Sequence, residues 1–274
     1  MSLIFPKRAF FRDFYVNLYL LIHFAAMLFN FFKSKPSADP KLFYNTEVHC
    51  HIMPGVDHGA KTTDDALQLI DAHRKWGIDR FILTSHVTED TFENNPQTLA
   101  EGFDRLTSAV KQTERPVSLA YSAEYRIDPL FMSQLENGQI VAMPGNHLLV
   151  ENSYIQEPIG LDHVLFDLKV KGYKVIMAHP ERFPYYHDTM SRYEELHSAG
   201  NLFQINLLSL AGFFGKDVKK VAEWLAKNGM VDFLGSDVHH MRHVAAIDEY
   251  LRSSDYRKMV PHLEKTVKND TFEF

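Results

Sequence analysis

A single cysteine, Cys50, stands in 274 residues, so no internal disulfide can staple this chain. That usage suits a reducing compartment. Basic residues are also in deficit: 29 Lys and Arg face 35 Asp and Glu, a formal net charge of −6. A dedicated nucleic-acid binder carries the opposite balance, so no nucleic acid is expected as a partner. There is no internal repeat and no low-complexity tract. No glycine-rich phosphate fingerprint follows the first apolar run, which argues against dinucleotide binding. What is present is ordinary globular composition, 45% hydrophobic and 23% charged, enough for one large domain or two small ones. Histidine is plentiful, with 15 copies.

A long, strongly apolar uncharged run lies at the N-terminus. Residues 14–32 carry no charge, a length near the minimum for a membrane span. Lys7, Arg8 and Arg12 precede the run, as they would an anchor. Asn17, His23 and Asn30 interrupt it. It reads as an anchor, as a packed or surface-lying apolar lead, or as sequence ahead of a true start at Met27. Residues 33–41 are polar and contain proline, as a linker does. The expected division is 1–44, lead and linker, and 45–274, the folded domain.

Within that domain, short apolar runs fall at 47–51, 80–85, 117–124, 147–151, 174–179, 202–206 and 231–236. Helical periods separate them at 63–76, 99–113, 161–171, 191–199 and 216–228. The first helix is the clearest. Thr62 or Thr63 can cap it, Asp64 and Asp65 suit its positive end, and Ala66, Leu69, Ile70 and Trp76 form its inward stripe. Repeated strand–helix alternation predicts an α/β fold with a parallel sheet. A closed barrel and an open doubly wound sheet both satisfy it.

The ends of the predicted strands carry the chemistry. His49 and His51 close the first, and His86 follows the second. Glu124 ends the third, Glu151 the fourth and His179 the fifth. The seventh leads into Asp237 and His239. In a parallel barrel the C-terminal ends of the strands share one face, so these side chains would converge there. His49 and His51 are two apart on a strand and point the same way, which turns Cys50 to the other side. Imidazole nitrogens and carboxylate oxygens without a thiolate favour manganese or iron, with zinc also suited. His23, His73, His163, His187, His197 and His262 are expected on the surface or in packing.

In order, "VHCHIMPGVDHGAKT", "TSHV", "AEY", "LLVEN", "AHPERF", "NLLSLAGFFG" and "GSDVHH" resemble the PHP (polymerase and histidinol phosphatase) superfamily. The likeness is greatest to its bacterial metal-dependent protein-tyrosine phosphatases of capsule and exopolysaccharide loci. The resemblance implies a distorted (β/α)7 TIM-like barrel, with a metal site at the C-terminal ends of the strands. It implies three divalent metal ions, manganese ahead of iron or zinc. One would be held by His49, His51, Glu124 and Asp237. A second would share Glu124 with Glu151 and His179. The third would take His86, His239 and His58, which stands where that branch usually has aspartate, with Asp57 as a fallback.

Arg182 matches an arginine that binds the substrate phosphate, and Arg242 is the nearest candidate for a second one. The implied reaction is metal-assisted hydrolysis of phosphotyrosine, on the tail of a bacterial tyrosine kinase, in the cytoplasm or at a membrane reached through the apolar lead. His58 or Asp57 would serve proton transfer. His240 and His243 are further candidates for substrate contact. Tyr125, Phe183, Tyr185 and Tyr186 would flank a phosphotyrosine ring or pack the barrel rim. The rival readings are a small-molecule phosphomonoesterase such as histidinol-phosphatase, and an inactive metal-stabilised assembly partner. A thiol phosphatase is excluded, because its Cys-x5-Arg loop would need arginine at position 56, which is Val56.

Overall fold

The structure, a computed structural model, describes residues 40–274. The apolar run at 14–32 lies outside that range. Among the described residues, no helix is long and apolar enough to cross a membrane. Leu42 and Tyr44, at the end of the segment read as lead and linker, are buried in the core.

Seven parallel strands follow one another in chain order: β1 (Thr46–Glu47), β2 (Arg80–Val87), β3 (Ser118–Arg126), β4 (His147–Glu151), β5 (Lys174–Ala178), β6 (Leu202–Asn206) and β7 (Phe233–Gly235). The continuations of β1 and β7 then meet. Cys50 and Val238 form a parallel bridge. The His51 N–H donates to the Val238 carbonyl at 3.1 Å, and the Asp237 N–H to that of His49 at 2.8 Å. The sheet is therefore a barrel, and the open doubly wound alternative falls away.

Strand alternation sorts the residues into two cores. Val48, Ile82, Leu149, Ile176, Ala178 and Phe233 fill the barrel interior, and Phe272 from the C-terminus joins them. Their neighbours Phe81, Leu83, Ala123, Val150, Val175, Met177, Phe203, Ile205 and Leu234 face outward, into the layer beneath the helices. Cys50 belongs to this outer layer and is fully buried. Each fully buried aliphatic or aromatic side chain there stabilises the fold by roughly 1.5–3 kcal/mol.

Helices cover the outside. Helix α1 (Thr63–Lys75) is capped by Thr62, whose hydroxyl accepts the Asp65 N–H while the Asp65 carboxylate accepts that of Thr62. This reciprocal pair satisfies two otherwise orphaned donors. Gly77, at φ +97°, lets the chain turn back toward β2 at little steric penalty. Then come α2 (Pro96–Gln112), α3 (Pro129–Glu136), α4 (Leu161–Val170), α5 (Met190–Ser198), the single turn α6 (Leu207–Leu210), α7 (Lys216–Lys227), α8 (Met241–Arg252) and α9 (Ser254–Leu263). The sequence reading omits α3, α6, α8 and α9. Helix α3 is short, and its one clear signal is the Asp128–Pro129 start, where the Asp128 carboxylate caps the Phe131 N–H at 2.9 Å. Helix α8 opens on polar residues that mask its buried stripe of Val244, Ile247 and Leu251.

At the end of the barrel away from the site, Asp232 ties three segments together. It accepts from the Phe203 N–H at 3.0 Å, from Lys268 Nζ at 2.9 Å, and pairs with His197 Nε2 at 3.0 Å. Burial would raise its pKa, but His197, the Phe203 amide and Lys268 together hold it below the usual aspartate range. A carboxylate depressed on folding contributes stability above its unfolded pKa, and that stability is lost as pH falls through the folded value. Asp232→Asn should therefore destabilise the fold by about 1–3 kcal/mol at neutral pH. The gap to the parent should narrow below about pH 4. Urea unfolding at pH 7 and pH 3.5 would check this.

Candidate metal centre

The nitrogens and oxygens expected as ligands do gather at the C-terminal mouth of the barrel. His49 Nε2 and His51 Nε2 lie 3.2 Å apart. His49 Nε2 is 3.3 Å from Glu124 Oε2 and 3.7 Å from Asp237 Oδ1. The corresponding separations from His51 Nε2 are 3.4 and 3.3 Å. Donors about 2.0–2.2 Å from one ion stand roughly 3.0–3.6 Å from each other, and the spacing of the two histidine nitrogens to each other and to each carboxylate oxygen, 3.2–3.7 Å, is close to that. Glu124 extends the group: Oε2 is 3.0 Å from His86 Nδ1, and Oε1 is 2.7 Å from His179 Nε2. Glu151 lies 3.9 Å from both His86 Nδ1 and His179 Nε2. His51, His86 and His239 make a third convergent set.

The backbone is bent to achieve this. The ladder of β5 ends at Ala178, one residue before the expected end. His179 then takes φ +32°, and Asp237, just beyond β7, takes φ +50°. Left-handed backbone is uncommon for residues with a side chain, and it costs about 1–3 kcal/mol at such positions. It swings the His179 side chain inward, where a straight strand with Ala178 inside would alternate away; Asp237 keeps the inward side of Phe233 and Gly235. The Gln204 carbonyl holds the His179 amide at 2.7 Å. Likewise β1 is shorter than expected, because the buried Glu47 carboxylate takes the Val48 and His49 amides at 2.9 and 2.8 Å. Gly235 is required by close approach: a Cβ there would meet His49 Cβ at 2.5 Å and Gln204 Nε2 at 2.6 Å.

Behind the donors, a ring of partners fixes which nitrogen faces the cluster. His49 Nδ1 bonds Gln204 Oε1 at 2.6 Å, His51 Nδ1 bonds Asp57 Oδ2 at 2.8 Å, and His239 Nδ1 bonds the Asp237 carbonyl at 2.9 Å. Each acceptor demands a proton on Nδ1, which leaves the Nε2 lone pair free for a ligand. Gln204 Nε2 donates onward to Asn206 Oδ1 at 2.8 Å, and Asn206 Nδ2 donates to Asp237 Oδ2 at 2.7 Å. Strand β6 supplies no ligand, yet it aligns two of them. Sequence reasoning missed this pair. The available signal was two buried polar residues at i, i+2 in an otherwise apolar strand. Gln204→Leu should weaken metal affinity about 10–100-fold, while Gln204→Glu, which keeps an acceptor for His49, should lose less. A metal titration followed by fluorescence or calorimetry would read it.

Electrostatics fit the same picture. Burial opposes charging His49, but Glu124 and Asp237 raise its pKa to about 9. Burial, then Arg182, lowers His179 to about 4. Burial, then His51, pushes His239 down as well. Burial would raise the pKa of Glu124 and Asp237, yet His49 and neighbouring histidines hold both carboxylates ionised. Protons and cations therefore compete for the same lone pairs.

The donor set opens into a cleft of about 530 Å³. Arg182 lines it: Nη1 donates to Asp237 Oδ2 at 2.8 Å, and the guanidinium lies 4.1 Å from the ring centre of Phe214 and 5.0 Å from that of Tyr154. His240 and His243 line it too. Other residues singled out from the sequence sit around the donor set. Arg242 is not among the lining residues; it is exposed and its guanidinium lies over Phe213. His58 stacks its ring on His239 and His86, 4.3 and 4.9 Å between centres, and joins none of the convergent donor sets. Asp57 has turned inward instead, with Oδ2 on His51 and the His86 amide and Oδ1 on the Gly59 amide, so it serves here as an acceptor behind His51. Of the aromatic residues suggested for ring contact, Tyr125, Phe183 and Tyr186 are buried in the core, and Tyr185 bonds the Ser153 carbonyl. The rings facing the cleft are Phe92, Tyr154 and Phe214.

Buried polar atoms supply the test of whether metal ions fit. His86 Nδ1, Glu124 Oε2, Glu151 Oε2 and His239 Nε2 are buried without a hydrogen-bond partner. Such atoms are expensive to leave unpaired. All four belong to the convergent set, and a cation would satisfy them together.

Residues 45–264 match the family model described as capsular polysaccharide synthesis, CpsB/CapC. Tyrosine-protein phosphatase YwqE of Bacillus subtilis (strain 168) is 29% identical over 197 residues, covering 72% of this chain and 78% of its own. Tyrosine-protein phosphatase CpsB of Streptococcus pneumoniae is 29% identical over 207 residues, covering 71% and 83%. A solved structure from work on YwqE from Bacillus subtilis and CpsB from Streptococcus pneumoniae, described there as unique metal-dependent tyrosine phosphatases, superposes with a TM-score of 0.68. It shares 26% identity and covers 80% of this chain and 92% of that one.

Proposed function

This chain belongs to the CpsB/CapC family of capsular polysaccharide synthesis proteins, and from that premise we infer that it is a metal-dependent protein-tyrosine phosphatase. One observation carries the reading: His49 Nε2 and His51 Nε2 lie 3.2 Å apart and each stands 3.3–3.7 Å from a Glu124 and an Asp237 oxygen, at the floor of a cleft that also holds a guanidinium and aromatic walls. An anion-binding floor beneath aromatic sides suits a phosphate carried on a phenol ring.

We assign three divalent cations to the site, with manganese the preferred ion. His49, His51, Glu124 and Asp237 would hold one. Glu124, Glu151 and His179 would hold the next, and His86 and His239, with His51 at hand, the third. When bound, such ions polarise a phosphoryl group and lower the pKa of water. The protein's own groups do the rest. Arg182, fixed by Asp237 and by two rings, presents planar N–H donors to the phosphoryl oxygens, and charge building there in the transition state strengthens those bonds. Phe92, Tyr154 and Phe214 flank the leaving phenol and keep water from its face. Burial and the neighbouring His86 and His51 lower the His58 pKa, which favours its neutral ring. At the cleft wall it is set to pass a proton between solvent and the departing phenolate.

The substrate we favour is a tyrosine-phosphorylated segment of a bacterial tyrosine kinase, met in the cytoplasm. Hydrolysis of a phosphotyrosine peptide and of histidinol phosphate by one manganese-loaded sample would test the assignment. The peptide should be preferred by at least about tenfold in kcat/KM, equivalent to about 1.4 kcal/mol. A clear preference for histidinol phosphate would move the chain to the small-molecule class.

A further inference from the structure

We infer that Arg126 is the second phosphate-binding arginine of this cleft, acting beside Arg182. The identity of its natural substrate rests on the phosphatase reading above; the anion site does not.

Arg126 follows Glu124 by two residues on β3, so the two side chains share the inward face. In the β3–β4 ladder its direct partner is Glu151. Its Nε and Nη2 donate to Glu151 Oε1 at 3.1 and 2.8 Å. That leaves Glu151 Oε2 free toward the donor set, where it is buried and unpartnered. Arg126 Nη1 makes no hydrogen bond among the described residues, and the side chain is 28% exposed where it lines the cleft.

Arg182 repeats the arrangement. It too is pinned by a carboxylate of the donor set, Asp237. Both guanidiniums lie against the Tyr154 ring, 5.8 Å from its centre for Arg126 and 5.0 Å for Arg182. A phosphomonoester carries about −1.5 to −2 charges and three acceptor oxygens. Two planar donors held rigid at one cleft match that load better than one. Among the described residues, these are the arginines that line the cleft.

A bland alternative is that Arg126 only steadies Glu151. Inorganic phosphate binding, measured by calorimetry on full-length manganese-loaded protein with metal content determined in parallel, separates the two. Arg126→Gln should weaken phosphate about 10–100-fold, as expected for loss of charge-assisted hydrogen bonds, at unchanged metal stoichiometry. Arg126→Lys, with charge but no fork, should fall between. With a phosphotyrosine peptide, KM should rise more than kcat falls. Phosphate affinity within twofold of the parent would overturn the inference. So would a loss that disappears at equal metal occupancy, or a loss seen in Arg242→Gln and not in Arg126→Gln. A parent chain that binds phosphate through Arg126 but leaves phosphotyrosine uncleaved would sink the phosphatase reading and leave this one standing.

Discussion

Glu124→Gln should reduce phosphotyrosine turnover by at least about a thousandfold while leaving the barrel folded. The reason is position. One oxygen of this carboxylate lies within 3.4 Å of three histidine nitrogens, and the other lies 2.7 Å from a fourth. No other side chain in the cluster touches so many donors. Glutamine preserves shape, but it removes the charge that two ions would share and replaces an acceptor with an N–H pointing at them. Metal ions contribute several kcal/mol of transition-state stabilisation, and each 1.36 kcal/mol is tenfold in rate. Circular dichroism unchanged beside a collapsed kcat and reduced bound metal would support the account. Near-parental turnover with manganese would remove Glu124 from its centre.

Arg182→Met should lower kcat/KM for a phosphotyrosine peptide by about 10²–10³-fold, the range seen when a preorganised donor to a developing oxyanion is removed. Methionine keeps an unbranched apolar chain of similar reach beside Tyr154 and Phe214, whose rings the guanidinium faces. The loss would therefore report charge and hydrogen bonds ahead of packing. Arg182→Lys should recover only part, because an ammonium cannot hold Asp237 and the phosphate in one plane. Metal content should stay near the parental value, which distinguishes this loss from that of Glu124→Gln. Equal activity in all three proteins would make the Asp237 contact a structural ion pair only.

The first layer of the site was legible from sequence because strand physics puts it there. Period-two spacing set His49 and His51 on one face, and strand ends positioned His86, Glu124 and Glu151. His179 was found for a looser reason than the one that operates: it lies beyond its strand, turned inward by left-handed backbone that no pattern of apolar residues announces. Asp237 keeps the inward parity of Phe233 and Gly235. Two features had a signal that went unread. Gln204 and Asn206 are polar residues on the inward side of an apolar strand, and Arg126 has the same i, i+2 relation to Glu124 that marked the histidines. The 57–58 pair was not decidable from spacing. Which of Asp57 and His58 turns inward depends on a loop whose Gly59 packs against His51 so closely that a Cβ would fall 2.0 Å from the His51 carbonyl. Arg242 falls in the first turn of α8, whose start the sequence did not declare, and does not line the cleft.

Anomalous diffraction from crystals grown with manganese addresses the central claim most directly. The account predicts a peak about 2.0–2.2 Å from His49 Nε2, His51 Nε2, Glu124 Oε2 and Asp237 Oδ1, with further peaks beside His179 and beside His239. Occupied manganese elsewhere on the protein, with no anomalous density among those four atoms, would contradict it.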